Sequence, residues 1–154
     1  LGADHVIDGR DPETFAQEVS ALTAGRGADL ILDVMGGAHL AANVAAAALD
    51  GRIVVIGLMG GPDAQAPLGR MMGKRLTLFT TSLRDRPVQA KARIVSGARR
   101  DLLPLVDRGA LTPRIARRFA LADIAEAHRF MEGRNHLGKI VLETPTAPDR
   151  TIDT

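Results

Sequence analysis

Cysteine is absent from the 154 residues, and so are tryptophan and tyrosine. Without thiols the chain forms no disulfide and no thiolate zinc centre, which fits a reducing, cytoplasmic setting. Aromatics amount to 3%, four phenylalanines in all, too few flat side chains for a nucleic-acid reader that stacks bases. Binding to nucleic acid through Arg70, Lys74, Arg75 and Arg84 is accordingly a minor alternative. No apolar run approaches the roughly 20 residues that cross a bilayer, so no membrane partner is expected. The opening LGADHVIDGR lacks the basic-then-apolar order of a secretory signal.

Catalytic signatures are scarce as well. Serine occurs only at Ser20, Ser82 and Ser96, never within G-x-S-x-G. His5, His39, His128 and His136 do not pair at metal-ligand spacing. The dinucleotide fingerprint G-x-G-x-x-G is missing: Gly25-Arg26-Gly27 has no third glycine and no helix behind it. The stretch from Gly69 to Lys74 is one residue short of a phosphate loop, and Arg75 stands where Ser or Thr would hold Mg²⁺. These gaps leave no candidate catalytic residue and no metal ligand.

What remains is a globular pattern. Apolar residues make up 45%, charged residues 25%, and the net charge is only +2, so the chain has a core and no strong electrostatic bias. HVID at residues 5–8 is a short strand candidate. Asp11 then caps a helix that has Pro12 in its first turn and Gly25 beyond its end. ADLILDVM at 28–35 and IVVI at 53–56 are continuous apolar runs, as in parallel strands covered on both faces, and both lead into glycine. An alanine-rich helix is expected at 39–49, a helical turn at 69–74 and a strand at 76–80 (LTLFT). Residues 87–109 read as one interrupted helix or two abutting ones, with Pro104 starting the second. Residues 113–121 read as an edge strand whose alternation is broken by Arg117-Arg118. A helix at 122–132 and a strand at 138–143 follow, and a frayed tail is expected at 144–154. Asp33, near a strand end, suits bonding of backbone amides as well as it suits chemistry.

The alternation of strand and helix over the first eighty residues predicts an α/β fold with a doubly wound parallel sheet. In such sheets ligands bind beyond the carboxyl ends of the strands. Four stretches carry a resemblance. LGADHVID at 1–8, LDVMGG at 32–37, DGRIVVIGLMGG at 50–61, and AEAHR at 125–129 with NHLGKIVL at 135–142 resemble, in order and spacing, the nucleotide-binding domain of medium-chain dehydrogenases/reductases. The LMGG loop with Thr81-Ser82-Leu83-Arg84 is most similar to the zinc-independent, NADPH-dependent quinone oxidoreductase branch.

The resemblance runs from Leu1 to about Glu143 and implies a partial Rossmann-type sheet. The first two strands and the phosphate-binding glycine loop would lie ahead of Leu1. Since those strands normally separate the 5–8 strand from the 28–35 strand, HVID is expected to be displaced, frayed or paired with another chain. The resemblance also implies NADPH, or NADH, as cofactor. Gly9 would lie near its adenosine, Gly36 and Gly37 along the ribose, and Gly57, Leu58 and Met59 at the nicotinamide. Ser82, Leu83 and Arg84 would close over that ring, with Asn135 near the phosphates or nicotinamide end. It further implies hydride transfer to a quinone or activated alkene, and a homodimer through the 76–80 edge strand, where Leu76, Leu78 and Phe79 would otherwise invite aggregation. Without its pyrophosphate-binding helix end, this chain alone should bind cofactor weakly or not at all and be inactive. The alternatives are an enoyl reductase or alcohol dehydrogenase relative, and a non-catalytic dimerisation or interaction module derived from a reductase.

Overall fold

The structure, a computed structural model, describes residues 2–133 and 135–145. The chain divides into two compact units, Leu1–Val88 and Gln89–Thr154. Each described unit is built on its own parallel sheet.

In the first unit the helix α1 (Pro12–Leu22) begins where the Asp11 carboxylate accepts the Glu13 amide at 3.1 Å. Strands β1 (Ala28–Asp33), β2 (Ala47–Val55) and β3 (Thr77–Thr80) then form a parallel sheet in that order. The crossovers carry α2 (Leu40–Ala46) and α3 (Leu68–Gly73). Register places Ile31 beside Ile53 beside Leu78, and Leu32 beside Val54 beside Phe79. Residues paired this way share a face, so the two rows separate. The first row meets the core: Leu40, Val44, Ala47 and Ile53 are buried together, with Ile31, Val55, Met71 and Leu76 packed against them. Full burial of Val44 and Ile53 contributes about 1.5–3 kcal/mol each. The second row stays open, Leu32 at 65% and Phe79 at 53% exposure.

Two expectations need correction. The helix expected at 39–49 ends at Ala46, and Ala47 already belongs to β2 with extended backbone. The cause is Lys74, whose ammonium donates to the carbonyls of Val44 (3.1 Å), Ala45 (2.7 Å) and Ala47 (2.6 Å) and so takes up the acceptors that a further turn would use. Burial, and then the neighbouring charge of Arg70, hold that ammonium below the usual lysine pKa. Residues 5–8 form no strand; Val6 is 91% exposed, in keeping with the expected displacement of HVID from the sheet.

In the second unit α4 (Val88–Asp107) is one helix that takes Pro104 into its last turns, so no second helix starts there. Strand β4 (Ile115–Ala120), helix α5 (Ile124–Glu132) and strand β5 (Lys139–Glu143) make a parallel strand–helix–strand unit. Phe119 and Ala127 are its buried apolar residues. The arginines that break the alternation of β4 have partners: Arg117 pairs with Glu126 at 3.1 Å and Arg118 with Glu143 at 2.9 Å. Of the tail expected at 144–154, residues 146–154 lie outside the described residues.

Candidate functional site

The three strands of the first unit end on the same side of their sheet because all run parallel. At the end of β1 the buried Asp33 carboxylate accepts the amides of Met35 (2.7 Å) and Gly36 (3.1 Å), folding the chain back on itself. This is the backbone-bonding role the sequence allowed for it.

The loop after β1 then zips to the loop after β2. Ile56 donates to the Asp33 carbonyl at 2.8 Å, Met59 to Val34 at 3.2 Å, Gly60 to Met35 at 2.7 Å and Gly37 to Gly61 at 3.0 Å. This closeness excludes side chains. A Cβ on Gly37 would lie 2.3 Å from the Asp63 carbonyl oxygen, and one on Gly57 would lie 2.7 Å from that of Val34. Gly36 adds a φ of 71°, in the left-handed region. The glycines are thus required by loop lying on loop, a reason that holds before any ligand arrives.

Two clefts open beside these loops. One, of about 780 Å³, lies at the ends of β2 and β3 and is lined by Val55, Ile56, Gly57, Leu58, Pro62 and residues 80–85. It brings together five of the residues picked from sequence: Gly57, Leu58, Ser82, Leu83 and Arg84. Thr81 donates to the Val55 carbonyl at 3.1 Å, which extends the sheet by one bond into the loop. The loop is pinned by Arg86, which donates to the Ser82 carbonyl (3.1 Å) and the Thr81 hydroxyl (3.0 Å). Sequence reasoning missed Arg86; its position four residues past Ser82 was the available signal.

The other cleft, of about 620 Å³, runs beside β1 and is lined by residues 31–35, Gly9, Arg10, Phe15, His39 and Asn43. Here the His39 Nε2 meets the Gly9 carbonyl at 2.9 Å. Arg10 fastens onto Asp8 and holds that carboxyl down at about 2. Asn43 also escaped the sequence reading, because an Asn inside an alanine-rich helix carries no motif.

The remaining expected contacts are not assembled with these. Gly36 and Gly37 lie in the β1 loop and line neither cleft. Met59 is 76% exposed and lines neither. Asn135 belongs to the second unit. Among the described residues no three His, Asp or Glu converge where a metal could be held, and none of their helices is long and apolar enough to cross a membrane.

Comparison with known proteins adds a family. A family model described as zinc-binding dehydrogenase matches residues 1–142. The chain is 32% identical over 142 residues to highly reducing polyketide synthase 40 of Fusarium mangiferae, covering 90% of this chain and 6% of that protein. It is 28% identical to the 2-haloacrylate reductase of a Burkholderia species, covering 92% of this chain and 42% of the reductase. Among solved structures it superposes on a mycobacterial quinone oxidoreductase with a TM-score of 0.73 at 28% identity, covering 90% of this chain and 42% of that one. A mycobacterial structure complexed with NADPH gives 0.75 at 29% identity, covering 92% and 44%. The chain therefore spans less than half the length of each of these proteins.

Proposed function

The chain belongs to the zinc-binding dehydrogenase family of medium-chain dehydrogenases/reductases, and from that premise we propose that it forms the nicotinamide end of an NAD(P)H-dependent oxidoreductase that reduces a quinone or an activated alkene. The observation that carries the reading is the convergence of Gly57, Leu58, Ser82, Leu83 and Arg84 on one cleft at the ends of parallel strands. Its volume suits a small-molecule site.

The residues fit the group. Leu58 and Leu83 offer apolar faces to a ring, while Ser82 and the loop amides offer polar contacts to its carboxamide. The bound cofactor supplies a hydride, and the protein supplies position and the exclusion of water. Gly36, Gly37, Met59 and Asn135 are assigned to the ribose, ring and phosphate contacts by the family resemblance, and Gly9 to the adenosine side. NADPH is the cofactor favoured, since a structure similar to this chain holds it.

Zinc-independence is carried from the family resemblance alone. The chain has no cysteine, and its described residues offer no cluster of three ligands. No step is assigned to a metal.

A homodimer through the edge strand β3 completes the proposal. Leu78 and Phe79 are exposed there, and pairing of two edges would cover them. Turnover requires the segment that the longer relatives possess and this chain does not span. The polyketide synthase relative favours a second reading, in which the acceptor is an enoyl group rather than a quinone.

Titration of the ¹⁵N-labelled chain with NADPH tests the cofactor reading. Saturable shifts at the amides of Gly57, Leu58, Ser82 and Leu83 are expected, with weak affinity in the millimolar range because the pyrophosphate-binding helix end is elsewhere. Saturable shifts confined to other amides, with these four silent, sink it in favour of a non-catalytic module.

A further inference from the structure

Two places in the chain share almost one sequence: Ile7-Asp8-Gly9-Arg10 and Leu49-Asp50-Gly51-Arg52. An aspartate followed by glycine can react with its own backbone. The glycine amide nitrogen adds to the aspartate Cγ, the amide proton and the acid hydroxyl leave as water, and a five-membered succinimide forms. Water then opens the ring at either carbonyl. One opening restores aspartate, and the other gives isoaspartate, whose backbone runs through the side chain and is one atom longer. Water is the only other reactant, and glycine has no Cβ to crowd the attack. With neighbours so alike, local sequence predicts equal rates, and any difference between the two bonds comes from the fold.

The fold treats them differently. Asp8 and Gly9 lie outside every helix and strand, and both are exposed. A Cβ on Gly9 would meet nothing within 4 Å, and among the described residues no backbone hydrogen bond engages the Gly9 amide. The Arg10 amide donates to the Asp8 carboxylate at 3.1 Å, which turns the carboxyl back over the stretch that carries the attacking nitrogen. Asp50 and Gly51, in contrast, lie within β2. A Cβ on Gly51 would lie 2.9 Å from the Ala48 carbonyl oxygen and 3.2 Å from that of Ala28, so backbone closes in on two sides. Both Asp50 carboxylate oxygens are drawn off to Arg75 at 2.7 Å. An extra backbone atom has no room at this bend, which must open before it reacts.

Ionisation slows both bonds, because a carboxylate has no good leaving group. The Arg10 guanidinium holds the Asp8 carboxyl at about 2, and Arg75 lowers that of Asp50 likewise. Arg10 is 91% exposed, and an ion pair so open to water breaks readily. Backbone restraint separates the two, since fixing one residue in a single conformation is worth roughly tenfold.

We propose that Asp8–Gly9 is a site of spontaneous isoaspartate formation in the folded chain, and hence a substrate for an enzyme that repairs isoaspartyl groups by methylating their carboxyl, while β2 and the Arg75 clasp shield Asp50–Gly51. The inference rests on neither the cofactor nor the family. Isomerisation displaces the Gly9 carbonyl, which meets His39 Nε2 at 2.9 Å, and so releases this segment from His39.

The test incubates the chain at 37 °C, folded and in concentrated urea, and counts isoaspartate at each position by proteolysis and mass spectrometry. In urea the two bonds react at closely similar rates. In the folded chain Asp8 reacts at least about tenfold faster than Asp50. The His39 ring resonances shift in proportion to the isoaspartate formed at Asp8. Arg75→Ala raises the rate at Asp50 about threefold and leaves Asp8 unchanged. Equal rates in the folded chain, a faster Asp50, or no isoaspartate at Asp8 overturns the proposal, and this comparison needs no variant to fold. A folded Arg75→Ala chain in which Asp50 stays as inert as before overturns the shielding given to the clasp.

Discussion

The two units solve the same problem, joining parallel strands through a helix, with different materials. In the first, the strand ends are held by backbone meeting backbone, and glycines make the approach possible. In the second, β4 and β5 share a backbone ladder too, and side chains add a cluster across it. The Arg117 guanidinium lies 4.5 Å from the ring centre of Phe119 and 5.3 Å from that of Phe130. Those rings are 5.8 Å apart, and His136 stacks on Phe130 at 5.4 Å. The glycine loops close on each other and leave a cleft beside them at the ends of β2 and β3, whereas the tilted rings of the second unit pack against one another. This is why the candidate site falls in the first unit.

The comparison breaks most easily at Phe119. At 5% exposure it is the main apolar anchor of a two-stranded sheet, and such a sheet has little stability of its own. Phe119→Ala should cost about 3–5 kcal/mol, read from urea unfolding followed at β4 and β5. The strand-end amides of the first unit should keep their chemical shifts. If the shifts of Gly57 and Ser82 collapse as well, the two units do not hold themselves by separate means.

Gly37→Ala attacks the other side of the comparison. Its Cβ would meet the Asp63 backbone oxygen, and backbone yields less readily than a side chain, so about 1–3 kcal/mol of overpacking is expected. Thermal unfolding measures the loss. If glycine were there only for a cofactor, this variant would be neutral in the cofactor-free chain.

How much of this could be read from the sequence follows from which interactions are local. The β1 and β2 runs were legible because short, largely apolar stretches leading into glycine read as parallel strands, although the structure leaves Leu30 and Leu32 on an open face. The cap at Asp11 was legible because turn chemistry lies in adjacent residues, and the loops at 57–58 and 82–84, which line one cleft, were singled out by a family motif. The end of α2 was not, since it depends on Lys74 arriving from about thirty residues away. The reason for Gly37 was hidden likewise: its contact is Asp63, on another loop. Arg86 acts through contacts of the folded chain and belongs to no motif.

The smallest effect sharpens the comparison where the first unit joins a strand to the end of a helix through a side-chain pair. Asp50 in β2 and Arg75 after α3 both have left-handed backbone, with φ of 60° and 52°, a conformation that ordinarily favours glycine. They clasp each other through two hydrogen bonds of 2.7 Å, and the Asp50 amide donates to the Lys74 carbonyl at 2.8 Å. The pair fastens the α3 end to the bend of β2. Hydrogen bonds from Arg75 hold the Asp50 carboxyl below the ordinary aspartate value of 3.8. A carboxylate with a depressed folded pKa stabilises the fold above its unfolded value, and the contribution is lost as pH falls through the lower, folded one. Asp50→Asn tolerates the same backbone but removes the charge. Its Tm should therefore lie roughly 1–2 °C below that of the parent at neutral pH, the modest size reflecting solvent exposure. The gap should narrow below pH 3.8, close only below the folded value, and shrink in 1 M salt. A gap that stays constant through that acid window would mean that shape, and not charge, holds the joint, as it does at the glycine loops.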